Sequence, residues 1–169
     1  MPIFLVVFRV SIFEFRISGA LDAPLPDGLS FGPGSDMKGE RPKCGLLIEN
    51  REGKVLLQLR DNDPAIRYPN MWGTFGGQVE EGETPEEAIV RELDEELGYR
   101  LSSAEYFGNF PLDGYDIYMY RKIDLALALE DLTVMEGQEG RFFSLEEVKT
   151  IDCAANCREI VIAYYQMFH

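Results

Sequence analysis

Three glutamates of one predicted helix are spaced so that they could bind a metal ion together. The stretch 76–99, GGQVEEGETPEEAIVRELDEELGY, is rich in glutamate and contains a single Arg and no Lys. At about 100° of rotation per helical residue, Glu92, Glu95 and Glu96 fall within an arc of about 100°. Carboxylate oxygens are the ligands of hard cations such as Mg²⁺ and Mn²⁺, which retain waters and bind substrate phosphates. The spacing therefore predicts a metal-binding face.

A solvated helix face is the alternative interpretation of these glutamates, because Glu favours helices and is readily exposed to water. Two features of the sequence argue against this alternative. No Lys alternates with the acidic residues, so the repulsion between carboxylates three and four positions apart is left uncompensated. A loop rich in Gly and Glu, rather than a plain cap, precedes the helix. Both features favour a bound cation.

The helix that would carry these residues has recognisable ends in the sequence. Thr84 is a suitable N-cap, Pro85 suits the first helical position, and Glu87 completes a T-x-x-E capping box. Gly98 follows the last helical residue, where glycine commonly ends a helix. Beside the acidic face runs an apolar stripe formed by Ile89, Val90, Leu93 and Leu97. The double glycine at 76–77 would let a backbone carbonyl approach the site closely, where a Cβ could obstruct it.

The rest of the chain predicts strands around this helix. Residues 43–61 form two apolar runs about a polar Asn-Arg-Glu-Gly turn, which indicates a hairpin. Further strands are expected within 72–77, 104–110, 115–127 and 140–143, a short capped helix at 144–148 and a terminal helix at 153–167. Several strands with one long helix between them and another at the end predict an α/β sandwich with a mixed sheet.

Composition limits the classes of function. A chain of 169 residues with 46% hydrophobic residues suits one globular core. A net charge of −14 argues against binding a nucleic acid polymer, which needs clustered Lys and Arg, but allows a small nucleotide bridged by metal. His169 is the only histidine, so acid–base chemistry falls to other groups. The three cysteines form no C-x-x-C pattern, and their odd number suits a reducing, cytoplasmic compartment. We interpret Cys153 and Cys157 as small apolar core residues.

The first 40 residues differ in character from the remainder. Residues 1–15 are apolar but interrupted by charge, too short to span a bilayer, and rich in Val, Ile and Phe, which favour strands. A Gly/Pro-rich linker follows. We therefore expect accessory strands and a linker over 1–40 and the main domain over 41–169. An exposed N-terminal strand could pair across a homodimer.

The glutamate-rich segment resembles the signature of the Nudix hydrolase family. That signature is a glycine, five residues, Glu, seven residues, Arg-Glu, an aliphatic residue, any residue, Glu-Glu, any residue, glycine and an aliphatic residue. The matching residues are Gly77, Glu83, Arg91, Glu92, Leu93, Glu95, Glu96 and Gly98. Tyr99 departs from the final aliphatic position, which concerns packing. Residues 136–143, EGQEGRFF, resemble the downstream segment of MutT-like members.

The resemblance implies an α/β/α sandwich and a set of roles. Glu92, Glu95 and Glu96 would bind divalent metal, Mg²⁺ or Mn²⁺, together with the carbonyl of Gly76. Glu136 would be a loop carboxylate that acts as a further ligand or as general base, with Glu92 the other candidate for the base. Gly77 and Gly98 would be structural, as would a Glu83–Arg91 ion pair. The implied reaction is attack of metal-activated water on a diphosphate linkage of a nucleoside diphosphate derivative.

The substrate is less sharply indicated. Arg60 could contact phosphate or end a solvated strand. Trp72 and Phe75 could stack a base or simply pack in the core. Phe75 also stands where many MutT-like members have proline, so MutT-type base contacts need not transfer. The downstream segment favours a nucleoside triphosphate. ADP-ribose, a diadenosine polyphosphate and a non-catalytic nucleotide-binding role remain as alternatives.

Overall fold

A computed structural model describes residues 41–112 and 115–169. The predicted accessory strands, the linker and any dimer contact that they make lie outside the described residues. The strands are β1 (Lys43–Glu49), β2 (Val55–Leu59), β3 (Trp72–Gly73), β4 (Glu105–Asn109), β5 (Ile117–Ile123) and β6 (Glu139–Phe143). The α-helices are α1 (Pro85–Leu97), α2 (Leu145–Val148) and α3 (Cys157–Phe168), and a 3₁₀ turn covers Leu129–Asp131.

The strands form one mixed sheet. Its order is β3-β2-β1-β5-β4, and β6 pairs with β2. The central pair, β1 and β5, is parallel from Lys43↔Ile117 to Glu49↔Ile123, whereas the other pairs are antiparallel. The predicted hairpin is present, but β1 pairs with β2 only at Glu49↔Val55. The main partner of β1 is therefore a strand about seventy residues later in the chain.

Helices cover both faces of the sheet. Alternate residues of β1 point to opposite sides, with Leu46 and Ile48 in the core under α1 and Leu47 in the core under α3. Leu93 of α1 and Tyr164 of α3 are fully buried in these two cores. The predicted α/β/α sandwich with a central mixed sheet is confirmed.

The predicted ends of α1 are confirmed. The Glu87 amide donates to Thr84 Oγ1 at 3.2 Å, and the Thr84 amide donates to Glu87 Oε2 at 2.8 Å, so the capping box is closed in both directions. Gly98 adopts the left-handed conformation, with φ of 59°. These local contacts fix where the acidic face begins and ends.

The terminal helix begins four residues later than predicted. Cys153 forms a parallel bridge with Trp72, and Ala155 has a positive φ of 49°, which interrupts helical geometry before Cys157. Tertiary pairing thus takes precedence over the helical pattern at this point. Within the ranges that the structure covers, no helix has the length and apolar character needed to cross a membrane.

Candidate active site

Glu92 lies in close contact with the glycine turn that precedes α1. A Cβ built on Gly77 would stand only 2.4 Å from the Glu92 carboxyl carbon, so a larger residue at 77 would displace this side chain. The Glu92 side chain is 15% exposed. Burial raises its pKa, the neighbouring Arg91 lowers it, and Glu95 and Glu136 raise it further. Glu92 is thus a partly buried carboxylate in close contact with the Gly77 backbone.

Arg91 ties the loop to the acidic face. Its Nε and Nη2 each donate to one oxygen of Glu83 at 2.9 Å, the bidentate geometry that makes Arg–carboxylate pairs strong. Nη2 also donates to the Gln78 carbonyl at 3.1 Å. Nη1 donates to Glu92 at 2.8 Å and to Glu95 at 3.1 Å. The expected Glu83–Arg91 pair is present, and the same guanidinium positions two of the three helical glutamates that are predicted to bind metal.

Glu96 is the most buried of the predicted ligands. It is 4% exposed, and its Oε2 accepts a hydrogen bond of 2.8 Å from the Gly76 amide. Burial raises the pKa of Glu96 to about 8; the Gly76 hydrogen bond opposes the shift, and the charges of Glu136 and Glu92 add to it. Gly76 was expected to contribute its carbonyl to metal, and the contact that the structure shows is made by its amide.

The loop that carries Glu136 is fastened beside these carboxylates. The Met135 amide donates to the Glu96 carbonyl at 2.8 Å, and the Glu136 carbonyl accepts from Gln58 Nε2 at 2.8 Å. The structure therefore brings Glu136 to α1, as its negative charge raises the pKa values of both Glu92 and Glu96. Gln58 itself is 3% exposed in a strand that is otherwise apolar, a polar interruption that sequence reasoning did not use.

A cleft of about 410 Å³ opens beside the acidic residues. Its lining includes Glu96 and Glu136 together with three basic residues, Lys43, Arg60 and Arg67. The predicted residue Arg60 is thus part of the cleft. Tyr115, a residue that fits the diadenosine-polyphosphate alternative loosely, also lines the cleft, and sequence analysis missed the lining residues Lys43, Arg67 and Tyr68. Arg67 and Tyr68 belong to the irregular 61–71 loop, where no periodic pattern marks a position as inward-facing.

The two predicted aromatic contacts to substrate are not in the cleft. Phe75 is 1% exposed and belongs to the core under α1, so its ring has no free face for a base, and that prediction is wrong. Trp72 packs edge-on against Phe143, with ring centroids 4.6 Å apart, and does not line the cleft. Core packing, the alternative weighed from the sequence, therefore describes both residues.

The acidic residues fit a divalent cation in chemistry but are not preassembled around one. Among residues 41–112 and 115–169, no group of three or more His, Cys, Asp or Glu side chains is already arranged to hold a metal ion. The Glu95 carboxylate is 61% exposed and engaged by Arg91. The negative charges of Glu92, Glu96 and Glu136 nevertheless repel one another, and burial partly desolvates Glu92 and Glu96. Oxygen donors under such repulsion are the set that a hard cation would stabilise.

Replacing Gly76 with alanine is expected to destabilise the protein by several kcal/mol. A Cβ at Gly76 would lie 2.3 Å from the Cys44 carbonyl oxygen, and its φ of 129° is strained for any other residue. Gly82→Ala is the matched control, because Gly82 also has positive φ, 85°, but no atom within 4 Å of an added Cβ. Urea unfolding of both variants would test this. Equal losses would show that steric contact at Gly76 is unimportant.

The sequence of this chain is similar to those of known proteins. A protein-family model described as NUDIX domain matches residues 39–164. The RNA pyrophosphohydrolase of Actinobacillus succinogenes is 33% identical over 114 residues, which are 67% of this chain and 52% of that protein. The RNA pyrophosphohydrolase of Tolumonas auensis is 42% identical over 110 residues, 65% of this chain and 58% of that protein. The chain thus spans about half the length of these curated relatives.

The fold is also similar to that of solved structures. The crystal structure of the MutT protein from Methanosarcina mazei Go1 superposes with a TM-score of 0.63 at 23% sequence identity. The match covers 78% of this chain and 97% of that one. At this identity the similarity concerns the fold alone.

Proposed function

Because this chain belongs to the NUDIX family, we propose that it is a divalent-metal-dependent pyrophosphohydrolase acting on a nucleoside triphosphate. The observation that carries the proposal is the cleft in which carboxylates and basic residues meet. Glu96 and Glu136 line the same 410 Å³ space as Lys43, Arg60 and Arg67. Carboxylates suit a metal and basic side chains suit phosphate, so the two sets together match a metal–polyphosphate substrate.

The family signature suggests a role for each residue of the site. Glu92, Glu95, Glu96, Glu136 and the Gly76 carbonyl would hold the metal, Mg²⁺ or Mn²⁺, which when bound lowers the pKa of water and offsets phosphate charge. Glu92 would accept the proton of the attacking water, with Glu136 the second candidate for this base. The water oxygen bonds to one phosphorus of the diphosphate linkage, the bond from that phosphorus to the bridging oxygen breaks, and the bridging oxygen stays with the other product, so that the products are nucleoside monophosphate and pyrophosphate. Arg91 would act indirectly, by fixing Glu92 and Glu95.

A second candidate substrate is the 5′-triphosphate end of RNA. The names of the two relatives, both RNA pyrophosphohydrolases, favour it. The net charge of −14 favours the free nucleotide, because contacts with the backbone of a polymer need a broader basic surface. The two substrates share the 5′-triphosphate and differ only beyond the first nucleoside.

A substrate panel tests the proposal. Nucleoside triphosphates, 5′-triphosphorylated RNA oligomers, ADP-ribose and diadenosine polyphosphates would be incubated with the protein and Mg²⁺ or Mn²⁺. We expect nucleoside monophosphate and pyrophosphate from the triphosphates, measured by chromatography and pyrophosphate release. A higher kcat/KM for the RNA oligomers would select the second candidate. If the folded protein binds metal and nucleotide but turns over no member, a non-catalytic binding module replaces the enzyme.

Arg60→Gln is expected to raise KM about ten- to a hundredfold with a smaller change in kcat. A hydrogen bond to a charged group contributes about 1.5–3 kcal/mol, and 1.4 kcal/mol corresponds to tenfold in affinity. Arg100→Gln is the matched control, because Arg100 is exposed and outside the cleft. Steady-state kinetics on the best substrate of the panel would give KM and kcat for the two variants. An unchanged KM for Arg60→Gln would remove Arg60 from the substrate site.

A further inference from the structure

Two cysteines meet where the chain enters α3. Cys157 is the first residue of the helix, and its amide donates to the Ala154 carbonyl at 3.1 Å across a tight turn. Ala155, inside the turn, has a positive φ of 49°. Cys153 is fixed at the other end of the turn, because the Ala154 amide donates to the Trp72 carbonyl at 2.8 Å and the Trp72 amide to the Asp152 carbonyl at 2.9 Å. Both cysteine backbones are therefore held in place.

The two thiols interact and lie in unequal environments. Cys157 is 3% exposed, whereas Cys153 is only partly buried. The Cys153 thiol donates to the Val148 carbonyl at 3.8 Å, which places its sulfur beside Arg158. Hydrogen bonding with Cys157 lowers the pKa of Cys153 to about 7, with the Arg158 charge contributing, whereas the same contact and then burial raise the pKa of Cys157. Arg158 is fixed by hydrogen bonds to the carbonyls of Val148 and Ile151 at 3.3 and 2.7 Å. A partly exposed thiolate beside a buried thiol is the arrangement of an oxidisable pair.

We propose that Cys153 and Cys157 are a redox modification site that closes to an intramolecular disulfide on reaction with a hydroperoxide. The Cys153 thiolate attacks a peroxide oxygen, the O–O bond breaks, and the other oxygen leaves as water or alcohol after taking up a proton. Cys153 is then a sulfenic acid. The Cys157 sulfur attacks the Cys153 sulfur, and the hydroxyl leaves as water with the Cys157 proton. The two thiols lose two electrons, which reduce the peroxide.

The site borders the cleft. Ala154, Ala155, Asn156 and Cys157 all line it, so a bond that tightens this turn would alter one of its walls. We expect oxidation to change KM for substrate by severalfold and reduction with dithiothreitol to restore it. This second statement rests on the proposed function, whereas formation of the disulfide does not.

Peptide mass spectrometry of the peroxide-treated full chain tests the modification directly. After the remaining thiols are alkylated, we expect a species two hydrogens lighter that links Cys153 to Cys157, with Cys44 unlinked. Cys44→Ser should retain the linkage and Cys153→Ser should lose it. A sulfinic acid on Cys153 beside a free Cys157, or a disulfide between two chains, would overturn the proposal.

The reactivity of Cys153 gives a second measurement that needs no variant of the buried Cys157. Alkylation of the native protein by iodoacetamide should modify Cys153 at least about tenfold faster than Cys44, because reactivity follows thiolate content and access. The pKa of Cys44 is raised to about 11, chiefly by burial, whereas the rate at Cys153 should rise with a midpoint near pH 7. Equal rates at the two cysteines would contradict the proposed site.

Discussion

Replacing Glu92 by glutamine is expected to lower kcat by about 10²–10⁴-fold on any substrate that the protein hydrolyses. The substitution keeps the shape of the side chain under Gly77 and removes one negative charge. A neutral amide cannot accept the proton of an attacking water and is a poorer ligand for a hard cation. The measurement is single-turnover or steady-state kinetics at saturating metal.

Asp94→Asn is the control for this variant, because Asp94 lies on the same helix, is exposed and has no assigned role. Its kcat should stay within a factor of about two of the unmodified protein, as surface substitutions away from special features have small effects. Glu92 also accepts a hydrogen bond of 2.8 Å from Arg91, so its substitution could destabilise the fold. The unfolding midpoint of each variant is therefore compared with that of the unmodified protein. A loss below about tenfold in folded Glu92→Gln would show that Glu92 is neither the base nor an essential ligand.

The helix and its carboxylates could be predicted because their causes are local. The Thr84–Glu87 capping box involves residues three apart, and the left-handed Gly98 needs only its own lack of a Cβ. Spacing alone also placed Glu92, Glu95 and Glu96 on one face of the helix, beside its apolar stripe. Spacing could not show that Glu95 faces solvent and is engaged by Arg91, because this depends on where the preceding loop returns.

The parts that sequence analysis missed depend on distant segments. Parallel pairing of β1 with β5 has no local signal in either strand. Burial of Phe75 follows from the position of α1 above it, and the entry of Arg67 into the cleft follows from an irregular loop. The late start of α3 arises because Cys153 pairs with Trp72 about eighty residues earlier. Contacts between segments that are distant in the sequence therefore decide which of the predicted residues lie in the cleft.

The metal-free protein is expected to lose stability as the pH rises from about 5 to about 8, and Glu96 is the reason. Its pKa is raised from 4.5 to about 8 in the folded protein, so the folded state holds a proton that the unfolded state releases in this range. The free energy of unfolding therefore falls with rising pH, by at most about 1.4 kcal/mol per pH unit from this group. This loss of unfolding free energy from Glu96 is absent below about pH 4.5 and complete above about pH 8.

Glu96→Gln separates this contribution from all other titrating groups. Glutamine can accept the same hydrogen bond from the Gly76 amide, which is 2.8 Å long, without burying a charge. In excess EDTA the variant should be more stable than the unmodified protein at pH 8, and the difference should shrink to near zero at pH 5. Glu95→Gln is the control, because its side chain is 61% exposed and should leave the slope unchanged.

Divalent metal should reverse the order of stabilities at pH 8. A cation competes with the proton for Glu96, so binding at pH 7 should release a proton and raise the unfolding midpoint of the unmodified protein. Glu96→Gln, which lacks the charge, should gain much less from the same Mg²⁺ or Mn²⁺ concentration. Urea unfolding between pH 5 and 8, with EDTA and with metal, measures all of these quantities. Parallel pH slopes for the two proteins in EDTA would refute a buried, protonated Glu96, and equal stabilisation by metal would refute its role as a ligand.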